Sequence, residues 1–588
     1  MNDPRVLTGI GVSPGSVIGP AYIVQWGLPD VPHRAVTAEG VPGELKRLRD
    51  AIAAVKDHLQ ELKRRTAEVA GPSQAKIFDT QMLMLEDPEF LGAVEGLIED
   101  NQLSAERAFE YQTLEMRALW EQSDSPTLRQ RRADLAGIGI RVLHRLLGRS
   151  VEDVLTRPGA APVIVFTREL TPGLTVEFDR EHVAGFASVE GTRTSHAAIL
   201  AHGLGIPCVM GLVGGLDRVR QDGIVILDGT RGTVIIDPTP QEIADAEVVA
   251  DRRRRLEVEL EEVVDQPAIT VDGIRVSLRG NVDLPEELDA AATHGAEGVG
   301  LLRTEFLVLG RAELPGEDEQ AAYFQRVAQR FPGQPVVVRT YDLGGDKFPA
   351  AFRPPREANP FLGWRAIRVC LDEPDIFRTQ ARAVLRAQIE GNVQLMLPLV
   401  TSLEELYRAR ELIAESSDAL RQEGVEAAQT VPVGVMIETP AAALLAEEFA
   451  RESDFLSVGT NDLTQYTLAV DRGNARLADR FTPFHPAVVR SLQQIVDAGR
   501  AAGLEVSVCG EMASDVRAVL LLLGMGYRVL SVSPPRLPLV RWLLRRLDHG
   551  AAESVAAEVS KASTTGRVIE LLREGIADLV DADLLSLA

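Results

Sequence analysis

The chain has 588 residues, 45% of them hydrophobic and 25% charged, which is too long for one hydrophobic core and points to roughly three or four compact units. Its 62 basic and 86 acidic residues give a formal charge of −24, which argues against a nucleic-acid or anionic-membrane binder and favours an acidic enzyme with a local basic pocket. Cys208, Cys370 and Cys509 stand far apart, so neither a zinc site nor a disulfide framework is indicated; with no signal-like start and no apolar run of membrane-spanning length, a soluble cytoplasmic protein is expected.

Leu7 to Val24 alternates apolar residues with Gly and Pro and predicts a strand, a turn and another strand. From about Glu39 the period changes. Leu45, Leu48, Ile52, Val55, Leu59 and Leu62 recur at steps of three and four, the seam of a packed helix, until Gly71-Pro72 stops it. With breakers so close, an internal helical hairpin is favoured over an intermolecular coiled coil, and helical stretches continue to about Arg149 as an inserted subdomain.

β/α alternation then resumes with Pro162–Phe166, His182–Ala187, Cys208–Met210 and Gly223–Gly229, which join the N-terminal strands in one α/β unit. Within it, Arg193-Thr194-Ser195-His196 leads into the apolar run Ala197-Ala198-Ile199-Leu200. A histidine where a turn enters a helix meets unpaired N–H groups and the positive end of the helix dipole, and Thr194 or Ser195 can cap the same turn; this suits a phosphoryl group carried on imidazole. For an isolated Thr-Ser-His the favoured reading is a capping-region histidine with a solvated ring, and it is the rest of the chain that reverses this. Residues from about Pro240 to Asp265, with Arg252 to Arg255, predict a solvated linker helix.

From Ile274 onward, eight apolar strand-like runs alternate with helix-compatible segments: Ile274–Leu278, Gly298–Leu302, Val336–Val338, Val393–Pro398, Val431–Ile437, Phe455–Val458, Val506–Val508 and Tyr527–Val532. That is the pattern of a parallel (β/α)₈ barrel, whose chemistry sits at strand C-terminal ends. Arg303 and Arg339 end two neighbouring runs, and paired guanidinium forks suit phosphate or carboxylate. Glu438 ends run five and Asp462 follows run six; two hard carboxylates with open positions suit Mg²⁺, although Glu438 could instead be a general base. Asn461 lies at the same rim, Arg472 and, more weakly, Lys347 could add cationic clamps, and Cys509, ending run seven, is either an inert small hydrophobe or a proton donor to a substrate carbon. No Gly-x-x-x-x-Gly-Lys-Ser/Thr signals a nucleotide donor.

Gly-x-x-x-Ser-Pro-Gly near the start, Arg193-Thr194-Ser195-His196, Gly300-Leu301-Leu302-Arg303-Thr304-Glu305, Asp342-Leu343-Gly344-Gly345-Asp346-Lys347, Asn359 to Arg365 and Gly459 to Tyr466 follow one another in a known order. On these motifs the chain resembles enzyme I of the bacterial phosphoenolpyruvate-dependent sugar phosphotransferase system over nearly its whole length. The resemblance implies an α/β protein: a swivelling phosphohistidine α/β domain (1–30 plus 150–238), an inserted helical carrier-docking subdomain (31–149), a linker helix (239–267) and a phosphoenolpyruvate-binding (β/α)₈ barrel that dimerises (268–588). It further implies that His196 takes the phosphoryl group on Nε2 and passes it to the small phosphocarrier HPr. By the same carry-over Arg303, Arg339, Asn461, Asp462 and Arg472 bind phosphoenolpyruvate, Glu438 and Asp462 hold Mg²⁺, and Cys509 protonates the enolate.

Departures from the family pattern cluster around the histidine: Thr192, Ala197, His202, Gly173, Leu174 and Gly137 replace usual glycine, hydroxyl, arginine, serine, acidic and aspartate residues. Losing an arginine beside a phosphoryl group removes a fixed charge, so altered hand-off to the carrier is expected. Two rivals compete: a carbon–carbon bond enzyme of the pyruvate-enolate barrel type, in which His196 is incidental, and a regulatory protein that binds phosphoenolpyruvate without turning it over.

Overall fold

An eight-stranded sheet and a closed, eight-stranded barrel organise the two units into which the chain divides between Arg255 and Leu256, inside the helix Pro240–Val263. The computed structural model describes residues 5–24, 28–70, 72–121, 126–148, 162–170, 174–175, 182–191, 196–285, 287–308, 311, 313–344, 357–472, 474–577 and 579.

In the first unit, β1 (Val6–Thr8), β2 (Ile10–Ser13) and β3 (Ser16–Val24) precede helices α1 (Val41–Ala70), α2 (Pro72–Leu85), α3 (Pro88–Asn101), α4 (Ala105–Glu121) and α5 (Pro126–Leu146). Then come β4 (Val163–Glu169), β5 (Val183–Glu190), the helix His196–Gly203, β6 (Cys208–Met210), β7 (Ile224–Asp228) and β8 (Thr233–Ile236), and the sheet order is β1-β8-β7-β3-β4-β5-β6-β2. The N-terminal stretch makes three strands rather than two: Gly15, at φ 137°, turns the chain between β2 and β3, and at Gly9 the chain passes from pairing with β8 to pairing with β6, which separates β1 from β2. The hairpin partner β8 escaped the sequence reading; it is only four residues long and alternates half-buried with buried positions.

The helical seam closes within the chain. Leu48, Ile52, Val55, Leu59 and Leu62 of α1 are buried in one core with Phe78, Phe90, Phe109, Leu135 and Val142, and Phe90 meets Phe109 edge-on at 5.4 Å. Asp87 caps α3 by accepting from the N–H groups of Glu89 (2.9 Å) and Phe90 (3.0 Å).

The second unit's barrel consists of β9 (Ser277–Val282), β10 (Val299–Leu302), β11 (Val336–Arg339), β12 (Val393–Leu397), β13 (Val433–Ile437), β14 (Leu456–Val458), β15 (Val506–Val508) and β16 (Val529–Val532). Each strand pairs in parallel with the next, and β16 pairs with β9 to close the ring. Strands covered on both faces read as unbroken apolar runs, which is why seven of these spans lie where the sequence placed them, to within two residues at either end. The first is displaced from Ile274–Leu278 to Ser277–Val282 because its inner positions are polar: Arg279 forks onto Glu505 at 2.7 Å, and Asn281 donates to the Cys509 carbonyl (3.1 Å) and accepts from Ser531 Oγ (2.6 Å).

Inside the ring, Leu301, Val337, Met396, Met436, Phe455 and Cys509 form a buried layer. A Cβ on Gly434 of β13 would overlap the Phe455 ring. Gly434→Ala is therefore expected to cost about 1–3 kcal/mol of stability through overpacking, read as a lower unfolding midpoint by calorimetry; an unchanged midpoint would mean the layer is loosely packed. Among the described residues no helix is long and apolar enough to cross a membrane.

Candidate active site

The C-terminal ends of the barrel strands surround a cavity of about 290 Å³ lined by Asp283, Arg303, Glu305, Arg339, Asp342, Glu438, Asn461, Asp462, Arg472 and Cys509, with Leu301, Phe306 and Met436 among its apolar walls. Seven of the eight barrel residues singled out from sequence thus meet in one place: Arg303, Arg339, Glu438 and Cys509 come from the ends of β10, β11, β13 and β15, and Asn461, Asp462 and Arg472 all come from the segment after β14. Lys347 lies outside the described residues.

Two kinds of guanidinium line or support this mouth. Arg339, last residue of β11, is buried, with Nη2 2.9 Å from Glu305 Oε1 and 3.6 Å from Asp342 Oδ2. Burial opposes its charge, but the carboxylates of Glu305, Asp342, Glu438 and Asp462 outweigh that and raise its pKa. Arg303 and Arg472 are looser: Arg303 Nη1 sits 2.6 Å from a half-exposed Asp283, and Arg472 Nη1 3.9 Å from Asp462 Oδ2. Both guanidiniums are more than a third exposed, and partly screened pairs of this kind add little stability. Asn461 donates to Glu511 Oε1 (3.1 Å) and accepts from the Glu511 N–H (3.3 Å), which fixes its amide at the rim.

The acidic side is buried. Glu438 Oε1 accepts from the Leu399 N–H at 2.7 Å; burial, together with the Asp462 and Asp342 carboxylates, raises its pKa against the pull of Arg339 and Arg365. Among the described residues Asp462 Oδ1 has no hydrogen-bond partner, and Arg365 Nη1 lies 3.7 Å from it. The lining holds five carboxylates (Asp283, Glu305, Asp342, Glu438, Asp462) against three guanidiniums, an excess of negative charge in a pocket suited by its arginines to an anion. Glu438 and Asp462 are hard oxygen donors of the kind that suit a divalent cation completed by water. Among the described residues no cluster of three or more His, Cys, Asp or Glu capable of holding a metal occurs.

Cys509 lies on the pocket floor, 3% exposed, with Sγ 3.5 Å from the Val458 carbonyl. Burial pushes its thiol up to about 11, with a hydrogen bond to Ser457 pulling the other way and Glu438 adding to the rise. A thiol that keeps its proton suits donation to carbon better than nucleophilic attack. Cys208 and Cys370 are pushed by burial to about 12. Thiolate, the reactive form, is therefore scarce at neutral pH for all three, and iodoacetamide labelling of the native protein is expected to be slow at pH 7 and to rise about tenfold per pH unit toward pH 11. Fast labelling of Cys509 at pH 7, followed by mass spectrometry, would contradict this placement.

His196 opens the helix His196–Gly203, just beyond β5. Ala197, Ala198 and Ala201 pack into the core beneath the sheet, while Leu200 reaches into the core of α1–α5, so two hydrophobic clusters pin this short helix. Thr192, Arg193, Thr194, Ser195 and Gly173 lie outside the described residues, as do the side chains of His196 and His202. Two departures from the family pattern, Leu174 and Ala197, are core positions. At a third, Gly137, the buried Arg141 donates Nη1 to the Gly137 carbonyl at 3.2 Å.

The sequence reading gave no role to Asp283, Glu305, Asp342, Arg365 or Glu511. Arg365 is the most heavily engaged: Nε and Nη2 fork onto Asp342 at 2.7–2.9 Å while Nη1 donates to Tyr466 Oη at 3.1 Å. Glu305, Asp342 and Glu511 each follow a chosen Arg or Cys by two or three residues, the one signal that could have found them.

Three family models cover most of the chain, all of phosphoenolpyruvate-utilising enzymes: the N-terminal domain over residues 8–131, the mobile domain over 159–232 and the phosphoenolpyruvate-binding domain over 257–549. The fold and the site thus define a phosphoenolpyruvate-utilising enzyme. The phosphoenolpyruvate-protein phosphotransferase of Geobacillus stearothermophilus is 39% identical over 569 residues, covering 97% of this chain and 98% of its own length. Those of Listeria innocua (38%, covering 98% of this chain and 100% of the relative) and Bacillus subtilis (37%, covering 97% and 99%) align over the same extent. The chain belongs to the phosphoenolpyruvate-protein phosphotransferase family.

Proposed function

We propose that this chain transfers the phosphoryl group of phosphoenolpyruvate to Nε2 of its own His196 and then to a histidine of a small HPr-like phosphocarrier, releasing pyruvate as the first step of sugar-uptake phosphorylation. The observation that carries the reading is the barrel mouth, where arginines suited to a phosphate and a carboxylate share one pocket with the buried carboxylates of Glu438 and Asp462, whose Oδ1 has no hydrogen-bond partner among the described residues.

Arg303, Arg339, Arg472 and Asn461 hold the phosphate and carboxylate of the substrate, and Glu438 and Asp462 would hold Mg²⁺. Bound there, Mg²⁺ would neutralise charge on the phosphoryl oxygens. The imidazole lone pair forms the new N–P bond as the bridging O–P bond breaks; the electron pair left on the enolate takes a proton at carbon from Cys509, whose thiolate regains one from water. Positioning and charge carry most of the rate in such in-line transfers. His196 belongs to the first unit and the pocket to the second, so turnover requires the two to meet.

On this reading residues 1–30 with 150–238 are the phosphohistidine domain, 31–149 the carrier-docking subdomain, 239–267 the linker, and 268–588 the barrel through which a cytoplasmic homodimer forms. The core that α1–α5 share, joined from the other domain by Leu28 and Leu200, supports the second assignment. Incubation with ³²P-phosphoenolpyruvate and Mg²⁺ should give an acid-labile, base-stable label on His196 that moves to added HPr. A protein that stays unlabelled, or carries the label elsewhere, would overturn the proposal.

A further inference from the structure

Pro398, Leu399 and Val400 follow β12, and Leu399 adopts φ 59°, the left-handed region. The other described non-glycine residues with positive φ are Gln102, Asp222, Asp237, Ala366 and Ala469, so Leu399 alone among them carries a bulky apolar side chain. Asp and Asn visit this region with the help of local hydrogen bonds; a leucine has none to offer and stays there only where its surroundings over-determine the backbone. Here they do. The side chain is 2% exposed, and Thr439 Oγ1 donates to the Val400 carbonyl at 3.2 Å, tying the turn to the end of β13.

The left-handed turn directs the Leu399 N–H onto Glu438 Oε1 at 2.7 Å. On the opposite side, a Cβ at Gly459 would come within 2.5 Å of Glu438 Oε2, so that oxygen lies against bare backbone. The carboxylate is wedged between a donor on one oxygen and a glycine at the other, which fixes its rotation.

We propose that Leu399 is a positioning residue for the metal site: its strained backbone aims one N–H at Glu438 and so holds the carboxylate in the orientation that meets the cation. This rests on the reading of Glu438 as a metal ligand. Hydrogen bonds to an ionised acceptor are strong, and outer partners of metal-binding carboxylates commonly govern affinity.

The test replaces residue 399 by the α-hydroxy analogue of leucine, which keeps the side chain and substitutes an ester oxygen for the N–H. Mn²⁺ binding is followed through the electron paramagnetic resonance of the free ion, without turnover, and thermal midpoints are recorded alongside. The ester protein is expected to bind Mn²⁺ about 10–100-fold more weakly. Leu399→Gly, which keeps the N–H and accepts the left-handed backbone, should bind within about threefold of the parent although its midpoint falls with the lost packing. A role in packing alone predicts the reverse order, with affinity following the midpoint. An ester protein that binds like the parent, or a Gly protein weakened tenfold or more, overturns the proposal. A parent that binds no Mn²⁺ overturns the metal reading beneath it.

Discussion

His196→Ala is expected to abolish protein labelling by phosphoenolpyruvate and to lower pyruvate release by at least about four orders of magnitude, the scale on which loss of an acting nucleophile is felt. The barrel mouth supplies cations and a proton donor, but its described lining holds no imidazole, burial holds the Cys509 thiol in its protonated form, and its carboxylates face arginines or, on the proposed reading, the metal. On that reading the phosphoryl group has no other acceptor on the protein than the imidazole. The substitution should leave the fold intact: alanine is the best helix former, and the described packing of this helix is carried by Ala197, Ala198, Leu200 and Ala201. Stability is expected to change by no more than about 0.5 kcal/mol, with a correspondingly small shift of the thermal midpoint. Pyruvate release is read by coupled reduction to lactate, and labelling by autoradiography. Undiminished release would mean that water or another side chain accepts phosphorus, and the histidine unit would lose its place in the chemistry.

The barrel was legible because burial on both faces of a parallel strand writes itself as an uninterrupted apolar run, and because strand ends gather the polar exceptions. Arg303, Arg339, Glu438 and Cys509 could be chosen on that ground alone, with Asn461, Asp462 and Arg472 just beyond. The residues that orient them were not legible. Asp342 and Arg365 are separated by twenty-two residues and meet only when the chain folds back over the rim. Leu399 reads as one more apolar residue after a proline, since φ leaves no mark in the sequence when glycine is not used. The first strand was placed three residues early for a related reason: Arg279 and Asn281 face inward and find partners on β15, β16 or the segments beside them, so polarity there signals an internal network rather than the end of a strand.

Arg339 separates a fork from a charge. It is the last residue of β11, 6% exposed, bound to Glu305 at 2.9 Å and near Asp342 at 3.6 Å, while Nε has no hydrogen-bond partner among the described residues. Arg339→Met would strand the Glu305 carboxylate without its cation, whereas Asp342 keeps Arg365. Removing one member of a buried pair costs about 3–5 kcal/mol, so this variant should melt well below the parent. Arg339→Lys keeps a cation in the cluster and should melt close to the parent, but an ammonium cannot reproduce two parallel N–H bonds to one oxyanion. Its kcat/KM for phosphoenolpyruvate is expected to fall about 10²–10³-fold, comparable to the loss of one preorganised oxyanion donor. Thermal melts and steady-state kinetics on both variants therefore resolve two roles of one side chain. If the lysine variant were to retain full kcat/KM, a point charge would suffice and the fork would have no part in binding; if the methionine variant were as stable as the parent, the carboxylates would have to be protonated or already neutralised without Arg339, and the charge balance that points to a divalent cation would have to be drawn again.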